Sequence, residues 1–345
     1  MADPVANPPP VRWALIPLSF LYAGVMRCRN LYYDRVRGAA RQAGVPVISV
    51  GNLTVGGTGK TPLVIEVVRR LREMGRRPAI LTRGYRGSAD RPADEVLEFH
   101  QALPQVPVIV NPDRLAGATA AHADHAADCV VLDDGFEHRR LRRDLDIVLV
   151  DALAPWGGGY VLPAGRLREP LSGLSRAHLL VVSRSNQVAP SALAEIHATL
   201  RRHTPATPLV YVSVEAERVV WLDGSSAQPD ELAGRCVLPV CGLGNPLTFL
   251  RLVETLAACV CPPLVFTDHH RYTSRDVSTV DAAAQTQKAD VVMTTRKDWV
   301  KLAPLWQRSA GGSLPPLSRL DVRLVLADDA GALDDRLKQA LEASR

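Results

Sequence analysis

Between Thr54 and Thr61 the chain reads Thr-Val-Gly-Gly-Thr-Gly-Lys-Thr, a composition and order suited to gripping phosphate. Gly56, Gly57 and Gly59 permit a backbone turn that aims successive N–H groups at phosphate oxygens, and a helix starting there adds partial positive charge. Lys60 would reach the β and γ phosphates of a nucleotide, and the Thr61 hydroxyl would hold Mg2+. With Thr54, Val55 and Thr58 completing the loop, the expected cofactors are ATP and Mg2+. Lys60 is also the sole lysine of the first 287 residues, in a chain with five lysines and 36 arginines. Such isolation marks a place where a compact ammonium fits and a planar guanidinium does not. The loop departs from the strict form at its first position, where Thr54 replaces glycine.

The run Cys129-Val-Val-Leu-Asp-Asp134 supplies the expected counterpart, an apolar strand ending in two carboxylates. Asp133 and Asp134 would orient the metal ion or its water shell. No Asn-Lys-x-Asp element is present to read a guanine edge, so GTP is disfavoured. Two other readings stay open from these residues: an ATPase that drives a partner protein without a small-molecule acceptor, and a surface-binding protein with a degenerate loop.

These groups need a scaffold, and the sequence offers one. After Gly44, β-rich apolar runs (Val45 to Val50, Ala79 to Thr82, Val106 to Val110, Cys129 to Leu132, Asp146 to Val150, Leu179 to Ser183) alternate with helical stretches. That alternation predicts an α/β fold of P-loop NTPase type: a mostly parallel sheet, helices on both faces, and a ligand crevice at the carboxyl ends of the strands. Two extended runs, Pro208 to Val214 and Arg218 to Leu222, read as a hairpin or linker. Strand candidates at Val237 to Cys241, Leu264 to Phe266, Asp290 to Thr294 and Val322 to Leu326 follow. The expected organisation is a membrane-associating region over 1–40, a kinase domain over 41–205, a β linker over 206–225 and a smaller α/β domain over 226–345.

The N-terminus carries an apolar run from Trp13 to Met26, followed by Arg27, Arg29, Arg35, Arg37 and Arg41 against a single Asp34. It is shorter than the roughly 20 residues a membrane span needs. An apolar run beside an arginine cluster suits a helix lying in a bilayer surface among anionic head groups, with a core helix as the alternative. The chain is 47% apolar with a formal charge of +5, which suits an anionic partner. Aromatic residues are only 5% and no zinc-finger spacing occurs, so nucleic acid is not the expected partner. The six cysteines lack the spacing of a disulfide framework, and a reducing compartment fits best.

Leu132-Asp-Asp-Gly-Phe-Glu-His-Arg-Arg140 closely resembles the DDGFQH element of the tetraacyldisaccharide 4'-kinases of lipid A biosynthesis. GNLTVGGTGKTP (Gly51 to Pro62), TRGY (Thr82 to Tyr85), LPAGRLREP (Leu162 to Pro170), GLGNP (Gly242 to Pro246), DHHRY (Asp268 to Tyr272) and TTRKD (Thr294 to Asp298) are similar to segments of that family, in its order. The resemblance implies transfer of the ATP γ-phosphoryl group to the 4'-hydroxyl of a tetraacylated glucosamine disaccharide 1-phosphate. It implies work at the cytoplasmic face of the inner membrane, with no obligate protein partner. It places Asp94 at the family's acidic position with His269 as its partner, a carboxylate and imidazole able to accept a hydroxyl proton. Closure of the C-terminal domain over the cleft is expected to bring His269 towards Asp94. Arg83, Tyr85, His138, Arg139 and Arg168 fall in matching segments and would contact substrate or phosphate, and Thr294 to Asp298 would approach the nucleotide base. This chain differs from the family at Glu137, usually Gln, at Arg296, commonly Glu, and at Ala93, where Gly is expected.

Overall fold

The computed structural model describes residues 10–36, 38–56, 58–84, 93–309, 314–327 and 330–343. Arg37, Gly57 and Tyr85, all given roles above, lie outside them. In chain order the elements are α1 (Pro10–Arg35), β1 (Val47–Asn52), α2 (Lys60–Glu73), β2 (Pro78–Thr82), α3 (Asp94–Ala102), β3 (Val108–Val110), α4 (Arg114–His125), β4 (Cys129–Asp133), β5 (Leu145–Asp151), β6 (Leu179–Ser183), α5 (Pro190–His203) and β7 (Leu209–Trp221). There follow β8 (Ser226–Ala227), β9 (Cys236–Cys241), α6 (Leu247–Leu256), β10 (Cys259–Val260), β11 (Leu264–Val265), α7 (Ser274–Gln287), β12 (Val291–Thr295), α8 (Arg296–Ser309), β13 (Leu317–Leu326) and α9 (Ala330–Glu342).

The chain forms two compact units, one of Met1–Tyr85, Leu103–Ser213 and Leu326–Arg345, the other of Arg86–Ala102 and Val214–Val325. In the first, parallel strands run in the order β7-β6-β5-β1-β4-β2-β3. β1, β4, β5 and β6 are buried along their whole length, as continuous apolar runs must be when both sheet faces are covered. Alternate residues of β4 face opposite ways: Val130 and Leu132 join Ala118 and Ala121 of α4 in one core cluster. α2 turns Leu63, Val64, Val67, Val68 and Leu71 inward, the apolar stripe its sequence spacing predicts. Each such side chain contributes about 1.5–3 kcal/mol on burial. Because β1 sits between β4 and β5, the loop after β1 emerges beside the acids that end β4, with Val50 level with Asp133.

In the second unit the order is β10-β9-β12-β13-β7, with β11 also on β9 and β8 antiparallel to β7. Trp306, Leu302, Leu238 and Val292 lie in one core cluster, and Phe249, Val253 and Met293 in another.

The structure departs from the expected organisation in several places. The runs at 208–222, expected as a hairpin or linker, form one continuous strand, β7, and the antiparallel turn comes later, where Val219 pairs with Ala227. Asp94 does not belong with residues 41–205: α3 buries Val96 and Phe99 and packs against α8 in the second unit. α9 returns to the first unit, packing on β1 and β5, and its Asp334 pairs with Arg70 of α2 at 2.6 Å. Cys236 and Cys259 face each other across β9 and β10 with their Cα atoms 4.4 Å apart, a juxtaposition that spacing did not signal. They are 23 residues apart and meet only because β9 and β10 pair in that register.

Candidate active site

The loop after β1 delivers its groups through backbone conformation. Gly56 (φ 117°) and Gly59 (φ 82°) lie in the left-handed region that side chains rarely adopt. Gly59 is the N-cap of α2 and brings no capping side chain, and no acid occupies the first turn. The first amides of α2 are thus left for an anion. Thr58 is buried and its hydroxyl has no partner among the described residues, a polar group whose desolvation a ligand would offset. These features fit a phosphate chain.

Lys60 Nζ donates to Asn52 Oδ1 at 3.1 Å and pairs with Asp134 Oδ1 at 3.3 Å. Asn52 in turn donates to the Thr54 carbonyl at 2.7 Å, so the last residue of β1 fixes both the lysine and the loop. Asp134, at φ 54°, also accepts from Arg168 Nη1 at 2.8 Å. Burial would raise the Asp134 pKa, but the charges of Lys60 and Arg168 outweigh it and hold the carboxyl below its ordinary value. Asp133 is buried and accepts from Thr82 Oγ1 at 3.5 Å. Two adjacent carboxylates at the end of β4 are a donor type that suits magnesium.

Arg168 reaches this cluster because the LPAGRLREP segment is sewn to the loop by backbone bonds. Val55 N donates to Arg166 O at 2.8 Å, and Arg168 N to Leu53 O at 2.7 Å. Gly51 permits the approach of the acidic segment, since a Cβ there would stand 2.5 Å from Phe136 Cβ and 2.8 Å from its amide N.

Glu137 lies 3.6 Å from Arg168. Burial first, with help from Asp134 and Glu169 and opposition from Arg168, pushes its carboxyl up to about 7. At pH 7 this carboxyl is about half ionised, so part of its negative charge remains beside Asp134. Burial, with Arg114 and Arg143 nearby, pulls His138 down to about 4, so this histidine is neutral at ordinary pH and offers no charge to a phosphate. Arg139 is committed to α1: it donates to the Asn30 carbonyl at 2.8 Å, pairs with Asp34 and covers the Tyr33 ring. Arg83 is exposed just beyond β2.

In the second unit Asp94 Oδ2 and His269 Nδ1 are 3.0 Å apart. Their pairing thus needs no closure of one domain on another. His269 is held at φ 61° in the turn after β11. Lys301 of α8 donates to the same Asp94 oxygen at 2.9 Å. Thr294 and Asp298 are wholly buried, and Arg296 is spent on Asp321, which leaves the TTRKD segment closed to a nucleotide base along those side chains.

Sequence reasoning missed Asn52, Arg166, Arg184 and Lys301. Arg184 (φ 59°) follows β6 and pairs with Asp151, the last residue of β5, at 2.6 Å. Its Nη2 would lie 3.8 Å from a Cβ at Gly59. Both residues stand at carboxyl ends of parallel strands, a position that could have singled them out.

A parallel α/β sheet, a glycine loop running from a buried strand into an uncapped helix, and a lysine facing paired acids define a P-loop phosphotransferase. Residues 11–342 match the family described as LpxK: Tetraacyldisaccharide-1-P 4'-kinase. Tetraacyldisaccharide 4'-kinases of Bdellovibrio bacteriovorus and Anaeromyxobacter dehalogenans (strain 2CP-C) are 36% and 39% identical to it over 314 and 320 residues. These alignments cover 87% of this chain in both cases, and 92% and 84% of the relatives. The chain belongs to the tetraacyldisaccharide 4'-kinase family and is an ATP-dependent kinase with a hydroxyl acceptor. The crystal structure of "apo" form LpxK from Aquifex aeolicus in complex with ATP is similar throughout, with a TM-score of 0.74 at 28% identity over 96% of this chain and 99% of that one.

Proposed function

We propose that this chain transfers the γ-phosphoryl group of ATP to the 4'-hydroxyl of a tetraacylated glucosamine disaccharide 1-phosphate, with Asp94 as proton acceptor and His269 as its partner. The observation that carries the assignment of the base is the hydrogen bond between Asp94 and His269, formed by residues 175 positions apart.

Lys60 and the amides of Thr54 to Thr61 hold the triphosphate, and Thr61, Asp133 and Asp134 hold the magnesium ion. Bound magnesium supplies neutralisation of charge on the phosphate oxygens. Asn52 and Asp134 keep the Lys60 ammonium in place, and Arg168 balances the second acid. Arg83, and Arg168 through its remaining N–H groups, are suited to phosphate or sugar oxygens. Asp94 is held below its ordinary pKa: burial would raise it, but Lys301 and then His269 prevail. A carboxylate that stays ionised is a weak base, yet phosphoryl transfer with a loose transition state asks mainly for orientation of the hydroxyl and late acceptance of its proton.

α1 fits a site of action at a lipid surface. Ser19 docks by accepting from the Ala164 amide and donating to the Val161 carbonyl, both at 2.9 Å, and Met26 is buried. Leu18, Phe20, Leu21 and Val25 remain exposed, with Phe20 at 71%. No helix among the described residues is long and apolar enough to cross a membrane. The reading is peripheral attachment at the cytoplasmic face of the inner membrane.

The test is transfer of labelled γ-phosphate to the purified lipid disaccharide, with the product identified by mass. Transfer at a rate far above lipid-free hydrolysis is expected. Rapid hydrolysis indifferent to lipid, with no labelled lipid, would favour an ATPase that drives a partner protein.

A further inference from the structure

Three of the five lysines lie between positions 288 and 301, and two of them, Lys297 and Lys301, share one face of α8. Lys297 pairs with Asp268 at 2.7 Å. Lys301 points to Asp94, 2.9 Å from Oδ2, and has Asp298 Oδ1 behind it at 3.6 Å. Asp298 is wholly buried, and its other oxygen accepts from the Gly242 amide and the Thr295 hydroxyl, both at 2.9 Å. The ammonium is therefore anchored by a carboxylate that cannot move. His269 Nδ1 also meets Oδ2 of Asp94, and among the described residues no hydrogen bond is made to Oδ1.

We propose that Lys301 is a positioning residue of the phosphoryl transfer: held by Asp298, it clamps one oxygen of Asp94 so that the other is presented to the acceptor hydroxyl. This rests on the reading of Asp94 as proton acceptor. As the new O–P bond forms, the acceptor O–H bond breaks and its proton passes to Oδ1. The bond from the γ phosphorus to its bridging oxygen breaks, and that electron pair leaves with ADP. The Lys301 ammonium and the His269 imidazole on Oδ2 also keep Asp94 ionised against its burial. The other charges around it are Asp298 and Lys297 on α8, Asp268 beside His269 at 3.8 Å, and Glu95 and Glu98 on α3 itself. Without Lys301, burial and the neighbouring acids act on Asp94 with one fewer group to oppose them.

The experiment measures pH profiles of lipid phosphorylation by the full chain carrying Lys301→Met, Lys301→Arg, Asp94→Asn, or Asp94→Asn with Lys301→Met. Lys301→Met is expected to lower kcat at pH 7 by roughly tenfold or more, with KM for ATP little changed. Its acid limb should move up by about one pH unit. Lys301→Arg keeps the charge and should return the limb towards its original position, which separates loss of the ammonium from loss of fold. Asp94→Asn should cost ~100-fold or more, the scale of a lost general base, and adding Lys301→Met to it should cost little further. The proposal is overturned if Lys301→Met leaves the acid limb in place, or costs its full factor in the Asp94→Asn background. Full activity of Asp94→Asn would instead remove the base itself, and the clamp with it.

Discussion

Among the described residues, three non-glycine residues hold left-handed backbone at turns where no helix is ending: Asp134 (φ 54°), Arg184 (φ 59°) and His269 (φ 61°). Such positions cost on the order of 1 kcal/mol each and persist where the surroundings over-determine them. Each carries a side chain in an ion pair or hydrogen bond described above. Glu137 is a departure with a measurable consequence. Its carboxyl titrates near 4.5 when unperturbed and at about 7 in the native chain. Between those values the native state binds the extra proton, so stability is fully present below pH 4.5 and falls as pH rises to 7. Glu137→Gln removes that dependence. Urea unfolding should show the variant about equal to the parent at pH 4.5 and more stable by roughly 3 kcal/mol at pH 8; a difference independent of pH would contradict the cause assigned. That Lys60 would lie beside the acids after β4 was legible from residue type and order alone. The pairing of Asp134 with Arg168 was not, because Arg168 reaches it only through backbone pairing with the phosphate loop, and sequence spacing says nothing of that.

At the level of elements, the strand that feeds the loop, the helix that follows it and the strand ending in acids were all readable, since each has a strong apolar period and a chemical marker at its carboxyl end. The continuity of β7 was not readable, because Glu215 and Glu217 interrupt its apolar pattern, whereas in the fold both lie within one strand. The apolar N-terminal run is a helix, but it extends well past the apolar segment, to Arg35. Its exposed face defines a second prediction. Phe20→Glu with Leu21→Glu removes two side chains that would each contribute about 1.5–3 kcal/mol on burial in a bilayer interface. Sedimentation with vesicles of anionic phospholipid should fall at least about tenfold, while the lipid-free ATP affinity is unchanged. Undiminished sedimentation would contradict a docking role for α1.

At the scale of the whole molecule, the fold class was legible and the partition of the chain was not. Residues 86–102 and 326–345 each belong to the unit that their sequence neighbours do not. Phe99 and Val96 of α3 find their burial in the second unit, and Asp334 of α9 finds Arg70 in the first, so long-range packing decides the division. One consequence is that Asp94 and His269 are preassembled, which the order of motifs along the chain concealed. Both the donor grip and the proton acceptor presuppose a bound magnesium nucleotide at the loop after β1. Calorimetric titration of the full chain with ATP tests this most directly. A single saturable site that requires magnesium and weakens roughly 100-fold or more in Lys60→Ala is predicted. No Mg-dependent uptake by the folded protein, or uptake indifferent to Lys60, would contradict it.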